Sequence, residues 1–246
     1  MGKGGLSLRF SHGIYGEKGM KKLSALLLLL SLLPRLLSFP VSAQNGRYVI
    51  REGDRDSMKI ALTFDDGPHP YRTNEVLDLL ERYHVRATFF VVGENVSYYP
   101  EPFKRAVALG HEIGNHTYHH ALLSRTCENT IIEEIRKTDE IIFQTAGIHP
   151  KLFRPPEGAY GECALKTAQN MHYRMILWTV DTRDWERPPA QTIVETVMAN
   201  VKGGSIVLFH DYMHKNAQTM QALEILIPKL LEKGFEFVTV SELIGG

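Results

Sequence analysis

Apolar and polar positions along residues 58–240 fall into blocks whose period switches repeatedly between two and about 3.6 residues. Residues 59–64 read as a strand, 74–83 as a helix, 87–92 as a strand, 101–108 as a helix and 111–115 as a short strand. A helix is predicted over 130–145, where Ile131, Ile135, Ile141 and Ile142 make an apolar stripe. Then come a short strand over 151–154, a helix over 162–169 and a strand over 174–180. A helix over 191–200, a strand over 205–210 and a helix over 220–233 follow, and a strand over 235–240 closes the series. Pro228 sits in the last helix. An interior proline costs about 3 kcal/mol, which predicts a kink or a boundary there.

Strands alternating with helices imply a parallel sheet covered by helices. About seven such strands fit a barrel-like α/β domain, with an open doubly wound sheet as the alternative. No internal repeat, low-complexity tract or interdomain linker interrupts the pattern. The polar residues of chemical interest fall just after strand ends, at Asp65-Asp66, His116, Arg154, Asp181 to Asp184, and His210. In parallel α/β folds the carboxyl ends of the strands form the active face.

The first 43 residues do not fit this pattern. Lys21-Lys22, an apolar run over 23–33, Pro34, and small residues at Val41-Ser42-Ala43 have the order of a secretory signal peptide. The run is short for a membrane span, and an uncleaved anchor is the competing reading. Residues 1–19 read as an upstream extension, with Met20 as an alternative start. A polar lead-in over 44–57 precedes the main domain, read as 58–244. The 246-residue length and the hydrophobic fraction of 43% suffice for one sizeable core. With 28 basic and 28 acidic residues there is no basic stripe to argue for nucleic acid. Nothing points to an obligate protein partner. Export permits a disulfide between Cys127 and Cys163, but their spacing does not decide it.

The chemistry concentrates in two segments. Residues Leu62 to Pro68 deliver adjacent carboxylates, Asp65 and Asp66, onto a Gly-Pro turn. Neighbours on a strand point to opposite faces, so only a break at the strand end lets both acids face one site. Downstream, His116-Thr117-Tyr118-His119-His120 offers imidazoles. One carboxylate and two imidazoles make a divalent-metal site with room for water, suited to zinc, cobalt or nickel. Asp66 and His116 are natural ligands, and spacing leaves His119 and His120 both open as the third. Asp65 is then free to act as a base. Arg154, before Pro155-Pro156-Glu157-Gly158, is placed to hold a carboxylate bidentately. Asp184 is a candidate to orient a histidine, Trp185 offers a flat wall, and His210 is a candidate general acid, with Asp211 capping the next turn.

In order and spacing, these segments resemble the polysaccharide deacetylases of carbohydrate esterase family 4, the NodB-homology domain, over about residues 58–244. The resemblance implies a distorted (β/α) barrel. It makes Asp65 the catalytic base and Asp66 a ligand, and it selects His116 and His120 as the other ligands, leaving His119 aside. It makes Arg154 the residue that orients the base, and Asp184 the support of His210, the general acid. Trp185 and Leu208 wall the acetyl pocket. Glu157 stands where the family often has an aromatic residue; its backbone N–H is implied as an oxyanion donor, while its charge bears on which glycan binds.

The implied activity is metal-dependent removal of N-acetyl groups from N-acetylglucosamine-type residues of a glycan, peptidoglycan or chitooligosaccharide, by a secreted or envelope-associated enzyme. The rival expectations are an O-acetyl esterase on a polysaccharide and a non-catalytic envelope glycan-binding protein. A zinc peptidase lacks support, because no His-Glu-x-x-His segment is present.

Overall fold

The computed structural model describes residues 1–2, 48–212 and 217–245. The predicted signal peptide, its upstream extension and its cleavage site lie outside the described residues. The chain divides into two units, Met1–Ala43 and Gln44–Gly246, and the elements below belong to the second.

In chain order the strands are β1 (Val49–Ile50), β2 (Lys59–Asp65), β3 (Thr88–Val91), β4 (Glu112–Asn115), β5 (Leu152–Phe153), β6 (Arg174–Ile176), β7 (Val180–Asp181), β8 (Ile206–His210) and β9 (Glu236–Phe237). The helices are α1 (Arg72–Arg82), α2 (Gly93–Tyr98), α3 (Pro100–Ala108), α4 (Glu128–Ala146), α5 (Glu162–Asn170), α6 (Ala190–Asn200), α7 (Ala217–Glu232) and α8 (Val240–Leu243). The sheet runs β1-β6-β5-β4-β3-β2-β8-β7, with β9 beside the start of β2, and these strands pair in parallel.

The period-two pattern of β2 explains its position. Ile60, Leu62 and Phe64 face outward into the core beneath the helices, while Ala61 packs on the inner face with Phe90, Leu152, Ile176 and Ile206. Thr63 and Asp65 share the inner face with Ala61 by alternation. Phe64 stacks on Phe89 and Phe209 at 5.1 and 5.8 Å, which ties β2 to both neighbours under the helices. Val240 and Leu243 of α8 join the inner core. A capping box at Thr239 starts that helix.

The structure departs from the predicted elements in several places. The strand expected over 174–180 is two strands on opposite margins of the sheet, β6 beside β1 and β7 beside β8. Leu177 N donates to Ile50 O and Thr179 N to Ile206 O, so residues 177–179 carry the chain between the margins. The sheet therefore curls into a distorted barrel, closed there by chain continuity rather than by a ladder. The lead-in contributes β1. With the split strand, this makes the sheet richer than the predicted seven. The closing strand expected over 235–240 is β9 followed by α8, and α7 runs through Pro228 without a boundary. Cys127 and Cys163 are free thiols.

Candidate active site

The extended backbone of β2 ends at Asp65, and Asp66 adopts φ +77°. This left-handed residue breaks the alternation and turns both carboxylates to one side. Asn95 of α2 donates to Asp66 O at 2.7 Å and holds the turn. Gly67 follows because there is no room for a side chain: a Cβ there would lie 2.3 Å from the Asp211 carboxylate. The turn that Asp211 is expected to cap lies outside the described residues. Asp211 is buried, accepts from Gly67 N at 3.0 Å and from the Thr73 hydroxyl, and so ties the β8 loop to the β2 loop. Burial pushes its carboxyl up to about 7.

His116 follows β4, and its Nδ1 lies 2.7 Å from the Arg154 carbonyl. A carbonyl only accepts, so Nδ1 carries the proton and Nε2 presents a lone pair. That nitrogen stands 3.5 Å from Asp66 Oδ1, and His120 Nε2 stands 3.2 Å from the same oxygen. Asp66 Oδ1 is nevertheless buried without a hydrogen-bond partner among the described residues. The donor atoms of Asp66, His116 and His120 lie within 4.8 Å of one another, a group able to hold a metal ion. An orphaned carboxylate oxygen facing imidazole nitrogens fits a divalent cation with nitrogen and oxygen ligands. Burial alone would raise the Asp66 carboxyl, but His116 and His120 outweigh it and hold it far below the usual carboxylate range. His119 is directed elsewhere: its Nδ1 pairs with Glu134 Oε1 at 2.7 Å.

Arg154 is fully buried, with Nη1 on Asp65 Oδ1 at 2.6 Å and on Thr63 Oγ1 at 2.9 Å. The expected bidentate clamp is not formed. The other guanidinium nitrogens are spent on the carbonyls of Ile176 and Leu177, where the sheet splits, and the cation sits 4.0 Å over the Phe90 ring. Asp65 Oδ2 is thereby left without an arginine partner, 3.7 Å from His116 Nε2.

Asp184 is also fully buried. Its Oδ1 accepts from His210 Nδ1 at 2.7 Å, while its Oδ2 accepts from His210 N and Thr219 Oγ1, both at 3.0 Å. Burial would lower the His210 imidazole, but the Asp184 hydrogen bond and charge prevail, with help from Asp65 and Asp66, and raise it to about 9. His210 lines a pocket of about 420 Å³ with Asp65, Asp66, His116, His120, Glu157, Trp178, Asp181, Trp185 and Leu208. Glu157 and Gly158 both adopt left-handed backbone, at φ +58° and +65°, and a Cβ on Gly158 would meet Trp178 at 2.7 Å. This turn sets Glu157 at the pocket edge with its side chain exposed.

The structure thus brings all ten predicted site residues together. Sequence reasoning missed the residues that hold them. Glu134 Oε2 accepts from Tyr118 N and His119 N, both at 2.9 Å. Asn115 Oδ1 accepts from Thr117 N at 2.9 Å. Thr219, Asn95 and Trp178 were likewise unmarked. Glu134 alone carried a sequence signal, a polar residue on an otherwise apolar helix face, beside Ile131 and Ile135.

Residues 52–176 match the polysaccharide deacetylase family. A peptidoglycan-N-acetylglucosamine deacetylase of Bacillus cereus is 41% identical over 199 residues, covering 80% of this chain and 93% of its own. A chitooligosaccharide deacetylase of Bradyrhizobium is 38% identical over 222 residues, covering 83% of this chain and 97% of its own. The crystal structure of the Bc1960 peptidoglycan N-acetylglucosamine deacetylase superposes with a TM-score of 0.80 at 38% identity, covering 84% of this chain and 97% of that one. The family model matches about half of the chain, and the relatives cover most of it at 38–41% identity; the chain belongs to the polysaccharide deacetylase family.

Proposed function

We propose that this protein removes N-acetyl groups from N-acetylglucosamine-type residues of peptidoglycan or a chitooligosaccharide and releases acetate. One observation carries the reading: two proton-transfer groups, Asp65 and His210, flank the Asp66, His116 and His120 triad within a single pocket. Relatives that act on these two glycans support the substrate class.

A divalent ion held by Asp66, His116 and His120, zinc with cobalt or nickel as substitutes, would supply Lewis acidity to water and to the acetamide carbonyl. Asp65 accepts the proton of the attacking water through Oδ2, because Arg154 occupies Oδ1 and fixes the carboxylate plane. The Glu157 N–H, on its left-handed turn, is the donor to the carbonyl oxygen as negative charge develops. His210, with Nδ1 committed to Asp184, gives its Nε2 proton to the leaving nitrogen. Leu208, Trp178 and Trp185 wall the space for the acetyl methyl. The amide C–N bond breaks, and water is divided between acetate and a free amine. The leader read in residues 1–43 supports export to the cell envelope or beyond, where such glycans are met.

The test is acetate release from N-acetylglucosamine oligomers and from peptidoglycan by metal-stripped protein, with and without added zinc or cobalt. Metal-dependent release from either substrate is expected. No release from both by metal-loaded protein overturns the reading, and acetate freed only from an O-acetylated polysaccharide would establish the esterase alternative.

A further inference from the structure

Outside the pocket, three loops at the carboxyl ends of the strands bring five aromatic rings together. His69 follows the β2 turn, Tyr71 begins α1, Tyr98 and Tyr99 end α2, and Tyr212 follows β8. Ring centroids lie 5.2 Å apart for His69 and Tyr212, 6.1 Å for His69 and Tyr71, 6.4 Å for His69 and Tyr99, and 6.2 Å for Tyr98 and Tyr99. None of the five lines the pocket. Tyr71 and Tyr98 are 73% and 64% exposed, a large aromatic area to leave in water.

The local backbone beneath His69 and Tyr71 is held by a network of hydrogen bonds. Tyr71 occupies the N-cap of α1, a position that favours Ser, Thr, Asp or Asn, and its side chain makes no cap bond. His69 does the capping instead: its Nδ1 accepts from Tyr71 N at 3.2 Å and Arg72 N at 3.1 Å. His69 N donates to Thr73 Oγ1 at 2.7 Å, and Thr73 in turn donates to Asp211. The network that locks the Asp66 turn therefore also locks the base of the aromatic cluster.

Position limits the occupant. His69 is three residues beyond Asp66 and Tyr212 two beyond His210. At roughly 3.6 Å per extended residue, their Cα atoms lie within about 11 and 7 Å of those site residues. A polymer with one acetamide in the pocket must lay its next units across this surrounding rim. Pyranose rings present C–H faces, which suit the electron-rich faces of tyrosine and histidine.

We propose that His69, Tyr71, Tyr98, Tyr99 and Tyr212 form a stacking platform for a pyranose ring that flanks the deacetylated residue on the same glycan strand. The platform rests on the glycan reading above and adds to it a preference for longer chains. It binds by ring stacking, involves no bond change, and extends recognition beyond the acetamide.

The test uses metal-loaded protein carrying Asp65→Asn, so that ligand is not consumed, with and without the pair Tyr71→Ser and Tyr98→Ser. Calorimetry gives the affinities for the N-acetylglucosamine hexamer and dimer. Both tyrosines are exposed, and thermal melts check that the fold survives. The hexamer-to-dimer affinity ratio is expected to fall about tenfold on loss of the two rings. An unchanged ratio, whether both affinities hold or both drop together, overturns the platform and reassigns the patch to a partner other than glycan. Acetate release by the wild-type protein is read separately. Its absence defeats the deacetylase reading, whereas a tyrosine-dependent hexamer preference would still support the platform.

Discussion

At φ +77° the Asp66 backbone leaves the extended conformation one residue past Asp65, and that angle lets two adjacent acids serve one pocket. Their partners then separate their work. Asp66 faces His116 and His120, while Asp65 is held through one oxygen by Arg154 and keeps the other exposed to the site. Replacing Asp65 with Asn preserves an acceptor for Arg154 but removes the base, so kcat should fall by about 10²- to 10⁴-fold. Metal content, measured by elemental analysis beside acetate release, should be unchanged, and wild-type turnover in this variant would take Asp65 out of proton transfer. His210 supplies a second prediction. Its imidazole is raised to about 9 by Asp184, a bound dication would pull that value down, and a general acid must be protonated to act, so activity should decline on the alkaline side at or below that pH. Asp184→Asn removes the carboxylate charge that raises it and should shift the alkaline limb of the kcat/KM profile to lower pH. A limb that stays in place would assign it to another group.

At the scale of elements, the site is held by two helices that contribute no reacting atom. The start of α2 laces both loops that carry the candidate ligands: Val92 N donates to Gly67 O, Gly93 N to Thr117 O, and Glu94 N to Tyr118 O. From α4, Glu134 takes the N–H groups of Tyr118 and His119 together with the His119 ring. Glu134→Ala leaves those donors without their acceptor, which should cost about 1–3 kcal/mol of stability in denaturant unfolding. Slackening the His116 to His120 loop should also weaken metal binding by about 10- to 100-fold in chelator competition. Metal affinity equal to wild type would show that the loop holds its shape without α4. Long periodic helices were legible in the chain, as the isoleucines of α4 illustrate. By contrast, α2 is too short to show a period, and β1 and β7 are too short to show alternation. The continuous apolar look of residues 174–180 concealed a crossing between sheet margins, because burial on both margins favours the same residues.

For the molecule as a whole, the barrel carries a buried neutral histidine outside the site. His111 Nδ1 accepts from Ala87 N at 3.1 Å, its Nε2 has no partner among the described residues, and burial, aided by the charges of Arg86 and Arg105, lowers it to about 4 from 6.5. Between those values the unfolded chain binds a proton that the folded protein refuses. Stability from this group is therefore complete above about pH 6.5 and lost as pH falls towards 4, with an amplitude on the order of 3 kcal/mol. Unfolding free energies across that window should slope accordingly, and His111→Asn, which keeps an acceptor but does not titrate, should flatten the slope. An unaltered slope would assign the acid sensitivity elsewhere.

The sequence by itself determined the alternation of the longer strands and helices, the parallel sheet, and the residue types of the pocket. Period, turn chemistry and motif spacing are local properties that survive in a linear chain. Motif resemblance already set His119 aside; only the tertiary structure decided that it turns to Glu134 and which oxygen of Asp65 Arg154 takes. It also decided that the barrel is closed by residues 177–179, and that Thr219 and Asn95 brace a site far from them in sequence. Those outcomes depend on distances between segments many residues apart, set by how side chains fill the space around the barrel.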